Sequence, residues 1–129
     1  MEKKLHNPWT WQDNLGFAQA VEISGHKRVV RCAGQTSVDA DGAPMHEGDM
    51  AAQIGQALNN LETVLKSAGM TFANIARLNI YTTDVDLFLA SYGAMIERLA
   101  GNRAASTLLG VARLAFPPLM VEIEATAVE

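Results

Sequence analysis

Two stretches of this chain alternate apolar and polar residues with a period of two, and that pattern commits it to a sheet with two unlike faces. From Asn74 to Thr82, Ala76, Leu78 and Ile80 point one way while Arg77, Asn79 and Tyr81 point the other. Near the C-terminus Val121, Ile123 and Ala125 share one face, and Glu122 and Glu124 share the opposite one. The apolar faces demand a cover of helices. The polar faces, mixed with apolar residues such as Ile75, are too polar for an ordinary core and too apolar for ordinary surface.

The cover is readable in the middle of the chain. Asp39-Ala40-Asp41-Gly42-Ala43-Pro44 is loop chemistry, and Glu47, Gly48 and Asp49 bring negative charge to a helix start. Met50, Ile54, Leu58, Leu61 and Leu65 then recur at spacings of three and four, one apolar stripe ending at Ala68 and Gly69, where glycine suits a helix cap. The opposite face, with Gln53, Gln56, Asn60 and Glu62, is expected to be wet. Asp84 is placed to cap a second helix running to about Ala100 and closed by Gly101-Asn102. Its inward candidates are Leu87, Ala90, Tyr92 or Ala94, Ile96 and Leu99.

Further strands follow from enrichment in Val, Ile and Phe. Phe17–Ser24 and Arg28–Ala33, joined by the turn Ser24-Gly25-His26-Lys27, predict a β-hairpin. Ser106–Leu114 and Leu119–Val128, joined through Ala115-Phe116-Pro117-Pro118, predict another. The order is ββ-α-β-α-ββ, with residues 1–14 read as a short N-terminal strand or arm. The expected product is one α+β domain over residues 1–129: a mainly antiparallel six-stranded sheet with two helices on one face. Self-association that buries the polar sheet face is the simplest resolution of its mixed character.

Composition narrows the partners. Hydrophobic residues make up 49% and charged residues 19%, the balance of a chain that folds. A net charge of −4 and a pI near 5.3 offer no attraction to phosphate backbones or anionic lipid, so neither nucleic acid nor a membrane is expected as a partner. His26, Lys27, Arg28 and Arg31 read as a solvated turn. No stretch approaches the roughly 18 apolar residues of a membrane span, and Lys3 and Lys4 precede no secretory apolar run. With the single Cys32, a structural thiol that has no internal partner, these features favour the cytoplasm. His6, His26 and His46 lack the close spacing of metal ligands, so no metal is expected. No phosphate-loop, dinucleotide or nucleophile-elbow motif occurs, so no cofactor is expected either. Trp9 and Trp11, beside Pro8, read as packing residues or as the mouth of a cleft.

Five runs stand in a telling order: Leu15 through Val21, Ala33-Gly34-Gln35, Ala52 through Gly69, Tyr81 through Asp84, and Val121-Glu122-Ile123-Glu124-Ala125. In that order they resemble the Rid family, also called YjgF, the reactive intermediate deaminases, across roughly Phe17 to Val128. The resemblance implies the chorismate-mutase-like fold and a homotrimer, with sheets forming a central barrel, helices outside and a small-molecule metabolite bound in clefts between subunits. It also implies an enzyme without a cofactor, a hydrolase that converts a reactive imine or enamine to a carbonyl compound and ammonia.

That chemistry needs a cation for the substrate carboxylate and a carboxylate to position water. Glu122 matches the family's water-positioning carboxylate. The cation has no match: aligning on Val111-Ala112-Arg113-Leu114 puts Ser106 where the deaminases carry Arg, followed by Thr107 and Leu108. Arg103 lies three residues earlier, roughly 10 Å away in extended chain. Ala33 stands for the family's Ser beside Gly34, Phe17 for its site Tyr, and Tyr92 for an Asn of many members. The implied ligand contacts are therefore Phe17, Ala33, Gly34, Tyr92, Arg103, Ser106, Thr107 and Leu108, a less polar set than the family's. Glu124 shares a face with Glu122, and two nearby carboxylates raise one of their pKa values toward proton transfer unless the pair is simply solvated or paired with Arg77 or Arg113. Two alternatives to the deaminase reading remain. One is a non-catalytic trimeric binding protein using the same cleft for a partly apolar metabolite. The other is the endoribonuclease activity attributed to some relatives, which the charge of −4 disfavours.

Overall fold

The computed structural model describes all 129 residues. Six strands and three helices run in the order β1 (Glu2–His6), β2 (Ala20–Ser24), β3 (Val29–Thr36), α1 (Met50–Ser67), β4 (Ile75–Thr82), α2 (Val85–Ala90), α3 (Gly93–Leu99), β5 (Ala105–Gly110) and β6 (Val121–Val128). The α+β class stands, but the single six-stranded sheet and the pair of helices are corrected. β1 and β2 make a two-stranded sheet, and a four-stranded sheet has the order β3-β6-β4-β5. Pairing is antiparallel except between β4 and β5, which run parallel.

Both expected hairpins are replaced, each for an identifiable reason. The turn after Ser24 is claimed by the C-terminus: the backbone N–H groups of Lys27 and Arg28 donate to the Glu129 carbonyl, and Glu129 N–H donates back to the Arg28 carbonyl. The Arg28 guanidinium pairs with the Glu129 carboxylate as well. β3 therefore meets β6 from Val29 opposite Val128 onward, while β2 pairs with β1, Ala20 opposite His6. At the other end, the helical crossover through α2 and α3 returns the chain parallel to β4 on its outer edge. Residues 111–120 then carry it past β4 to the far side, so β5 and β6 flank β4 instead of pairing with each other.

α1 forms as its stripe requires. The Asp49 side chain accepts the N–H of Ala52 at 3.0 Å, an N-cap worth about 1 kcal/mol. Met50, Ile54, Leu58, Leu61 and Leu65 are all buried, and Gly69 just past the end adopts a left-handed φ of 73°. The wet reading of the other face is corrected. Gln53 is fully buried: its amide donates to the carbonyls of His46 (3.2 Å) and Pro118 (2.9 Å), and its carbonyl accepts the N–H of Met120 (2.8 Å). Asn60 donates to the carbonyls of Thr36 and Val38, and Gln56 donates to Val38 too. Only Glu62 behaves as surface, in ion pairs with Lys66 and Arg98. The helix thus fixes two loops, including the one that delivers β6.

The second helical stretch breaks at Ser91-Tyr92 into α2 and α3, with Asp84 capping α2 through the N–H of Leu87 at 3.0 Å. The inward stripe keeps one phase across the break, with Phe88, half-buried Tyr92, Met95 and Leu99 at spacings of four, three and four. Phe88, Met95 and Leu99 are buried, whereas Leu87 and Ala90 are exposed, which corrects the inward set. The core joins the stripe of α1 to Leu78, Ile80, Ile123 and Ala125 on one face of the four-stranded sheet.

Candidate functional site

Register decides which site residues meet. Ser106 stands opposite Leu78 and Leu108 opposite Ile80, so both lie on the helix-covered face of the sheet. Glu122 stands opposite Tyr81 and Glu124 opposite Asn79, on the other face. In a strand, neighbouring side chains alternate faces, and Tyr81 follows Ile80 directly. Ser106 and Glu122 therefore project to opposite sides of one sheet.

On the helix side, Phe17, Tyr92, Ser106, Thr107 and Leu108 line one cavity of about 240 Å³ together with Leu15, Ile80, Phe88 and Leu89. Several local features build it. Ala18 N–H donates to the Ala104 carbonyl at 3.0 Å and Ala18 bridges to Ala105, which lays the segment around Phe17 along the free edge of β5. The helix break supplies Tyr92, whose hydroxyl donates to the Leu15 carbonyl at 2.6 Å and ties that segment down. Burial pushes the Tyr92 phenol above its ordinary pKa. The Phe88 and Tyr92 rings lie 5.7 Å apart, and Trp11 meets Phe17 edge to face at 5.9 Å, so Trp11 stands beside a residue of the cavity wall while remaining largely exposed.

On the other face, Ala33 and Gly34 form an irregularity in β3: Cys32 pairs with Ala125 and Gln35 with Ile123, so three steps on β3 match two on β6. Half-buried Glu122 lies across it. A Cβ on Gly34 would stand 2.6 Å from the Glu122 Cδ and 2.8 Å from Oε2, so only glycine admits the carboxylate there. Glu122 takes part in none of the ion pairs of the chain. Glu124 is engaged by neither expected arginine. It accepts a hydrogen bond from the Tyr81 hydroxyl, and that bond, then burial, raises the Tyr81 pKa. Arg77 instead donates to Thr107 Oγ1 at 2.6 Å, and Arg113 donates to the carbonyls of Leu114 and Ala115.

Arg103 belongs to neither group. It lines a separate depression with Asp13, Asn14, Gly16 and Asn102. Sequence reasoning missed Phe88 and Leu89 in the cavity wall because it set the inward stripe at Leu87 and Ala90, out of phase with the buried Phe88. It also missed the Tyr81–Glu124 and Arg77–Thr107 contacts, which need the pairing register and not only the alternation. No group of three or more His, Cys, Asp or Glu side chains gathers anywhere in a geometry suited to a metal ion.

A two-layer sheet-and-helix fold with an edge cavity and a glycine-cradled carboxylate defines a class, and comparison with known proteins identifies it. The sequence matches the family model described as Endoribonuclease L-PSP over residues 13–129. The fold superimposes on the crystal structure of YyfB from Yersinia pestis, a protein of unknown function in the conserved Rid family, with a TM-score of 0.90, 36% identity and complete coverage of both chains. A Mycobacterium tuberculosis protein of the YjgF/YER057c/UK114 family matches with a TM-score of 0.70 and 28% identity, over 99% of this chain and 100% of that one. Among characterised relatives, the 2-iminobutanoate/2-iminopropanoate deaminase of Rattus norvegicus is 30% identical over 113 residues, 88% of this chain and 80% of its own length. Protein mmf1 of Schizosaccharomyces pombe, a mitochondrial protein, is 33% identical over 115 residues, 88% of this chain and 68% of its own. The chain belongs to the Rid (YjgF) family. No helix is long and apolar enough to cross a membrane.

Proposed function

We propose that the chain hydrolyses a reactive imine or enamine to a carbonyl compound and ammonia, in clefts that neighbouring copies complete within a homotrimer. One observation carries this reading: the chain holds two half-sites on opposite sides of one sheet. The cavity at the β5 edge has no carboxylate, and the cradled Glu122 carboxylate has no cavity. Within one chain no rotamer joins them; a second copy presenting its Glu122 to this cavity does. The exposed Leu15, Leu89 and Leu109 around the β5 edge, and the polar side chains on the uncovered sheet face, are surfaces that association would bury. A lone buried thiol at Cys32 suits the cytoplasm.

In this scheme Glu122 accepts a hydrogen bond from water and directs its oxygen at the imine carbon. The carbon–oxygen bond forms as the C=N π pair moves to nitrogen, which takes a proton. The carbinolamine then collapses: the carbon–nitrogen bond breaks, ammonia leaves, and the hydroxyl proton departs as the carbonyl forms. Water is the only co-reactant. Ammonia release from freshly generated 2-aminoacrylate and from bulkier imines tests this, with Glu122→Ala abolishing the rate; no rate with any imine removes the reading. Light scattering tests the assembly, and a monomer at micromolar concentration removes the shared cleft.

A second reading, a trimeric protein that binds a metabolite without turning it over, is favoured by the cavity's lack of any cation. It predicts ligand-dependent stabilisation that survives Glu122→Ala.

A further inference from the structure

The cavity at the β5 edge is selective by composition. Seven of its nine lining residues are hydrophobic, with Phe17, Phe88, Leu89 and Leu108 among them. Its hydroxyls are committed. Tyr92 donates to the Leu15 carbonyl and Ser106 donates to the Ala104 carbonyl at 3.2 Å, while the Thr107 hydroxyl, opposite Asn79 in the register, turns to the other face and accepts from Arg77. No cation or amide side chain lines it. A carboxylate entering this space loses its water and meets no charged partner on this chain.

We infer that the group received here is a carboxylate-free hydrocarbon, so that the imine hydrolysed derives from an apolar amine and not from an amino acid. This rests on the hydrolytic reading above and narrows its substrate class. Size agrees: a dry apolar cavity of about 150 Å³ holds benzene, so the roughly 240 Å³ here takes a phenyl or branched alkyl group with its imine carbon at the mouth. Charge agrees as well. With no cation in the cavity wall to offset it, a carboxylate on the imine carbon would face Glu122 unscreened, and like charges at that range repel. The reaction is RCH=NH plus water giving RCHO and ammonia, with no change of oxidation state.

A matched pair of substrates tests it. The imines of 3-methylbutylamine and of leucine differ only by the carboxylate, and each is generated in place by a flavin oxidase that passes the two electrons of the C–N bond to O2, an amine oxidase for the first and an L-amino-acid oxidase for the second, with catalase removing the peroxide. The carboxylate-free imine is expected to show a kcat/KM at least about tenfold higher, and Ser106→Arg, which adds a cation, to shrink or invert that ratio. Equal rates, or preference for the leucine-derived imine, overturn the inference while leaving the hydrolytic reading intact. If neither imine is consumed, the hydrolytic reading fails and calorimetry decides the rest. Tighter binding of 3-methylbutanamide than of 3-methylbutanoate supports the apolar cavity; equal binding, reversed preference or no binding of either overturns it. Should Ser106→Arg fail to fold, the ratio of the two wild-type rates is decisive without it.

Discussion

On one side of β4, Leu78 and Ile80 sit in a core of buried residues; on the other, Arg77, Asn79 and Tyr81 stand half-exposed, with hydroxyl and guanidinium reaching for Glu124 and Thr107. The first side supplies the hydrophobic term that holds the fold together. The second supplies charges and donors that contribute little to the stability of a single chain. The cavity is cut into the first side and the water-positioning carboxylate stands on the second. In one chain, therefore, the stabilising surface and the chemically equipped surface are back to back, and substitutions on the two sides should separate by their effect on stability.

The largest effect is expected at Phe88, fully buried in the core and also part of the cavity wall. Phe88→Ala should lower the unfolding free energy by about 3–5 kcal/mol in urea titration. A loss below about 1 kcal/mol would mean that the cavity is a surface dent and not a hollow in the core, and the contrast between faces would collapse. Next is Gln53→Leu, which strands the carbonyls of His46 and Pro118 and the N–H of Met120. About 3 kcal/mol is expected, with a loosened 111–120 loop seen as faster amide exchange at Met120. Unchanged exchange there would show that the loop is held by something other than α1.

Gly34→Ala sharpens the comparison from the polar side. The added methyl meets the end of a flexible side chain, so stability should move by no more than about 1 kcal/mol. The Glu122 carboxylate must leave its cradle, however, and hydrolysis should fall as far as it does in Glu122→Ala. Wild-type turnover in this variant would show that the cradle has no part in the chemistry.

How much of this was readable beforehand follows the same division. The alternation in β4 and β6 and the stripe of α1 report which face a residue takes, and those assignments survive from Arg77 to Tyr81, along β6 and along the stripe; Ile75, read with the polar face, is instead fully buried in the core, because the ladder slips between Ile75 and Arg77. Periodicity does not report what lies across from that face. The turn at Ser24–Lys27 looked like a hairpin because its true partner, Glu129, lies about a hundred residues away in sequence. Gln53 looked wet because helical phase is silent about loops packed over it. At the site, the resemblance to a known family brought Phe17, Tyr92, Ser106, Thr107 and Leu108 to notice, and all five line one cavity. Phe88 and Leu89 escaped notice because Leu87-Phe88-Leu89-Ala90 is apolar all round, and no polar residue in the run marks which side faces inward.

The smallest effect separates the two tyrosines of the chain, one on each side of the sheet. Both phenols titrate above the ordinary value, Tyr92 because burial disfavours its charged form and Tyr81 chiefly because its hydroxyl donates to the Glu124 carboxylate. A folded-state pKa above the unfolded one means that the native chain holds its proton longer. The stabilisation is fully present below about pH 10 and is lost as pH rises through the folded value. Glu124→Gln removes the acceptor charge on one side only. It should bring one phenolate transition, followed by ultraviolet absorbance, back toward the ordinary range and leave the other in place, whereas Tyr81→Phe should delete that transition and flatten the alkaline loss of stability. Two phenols moving together in Glu124→Gln would mean that the faces communicate through the sheet, and the separation argued from β4 outward would have to be given up.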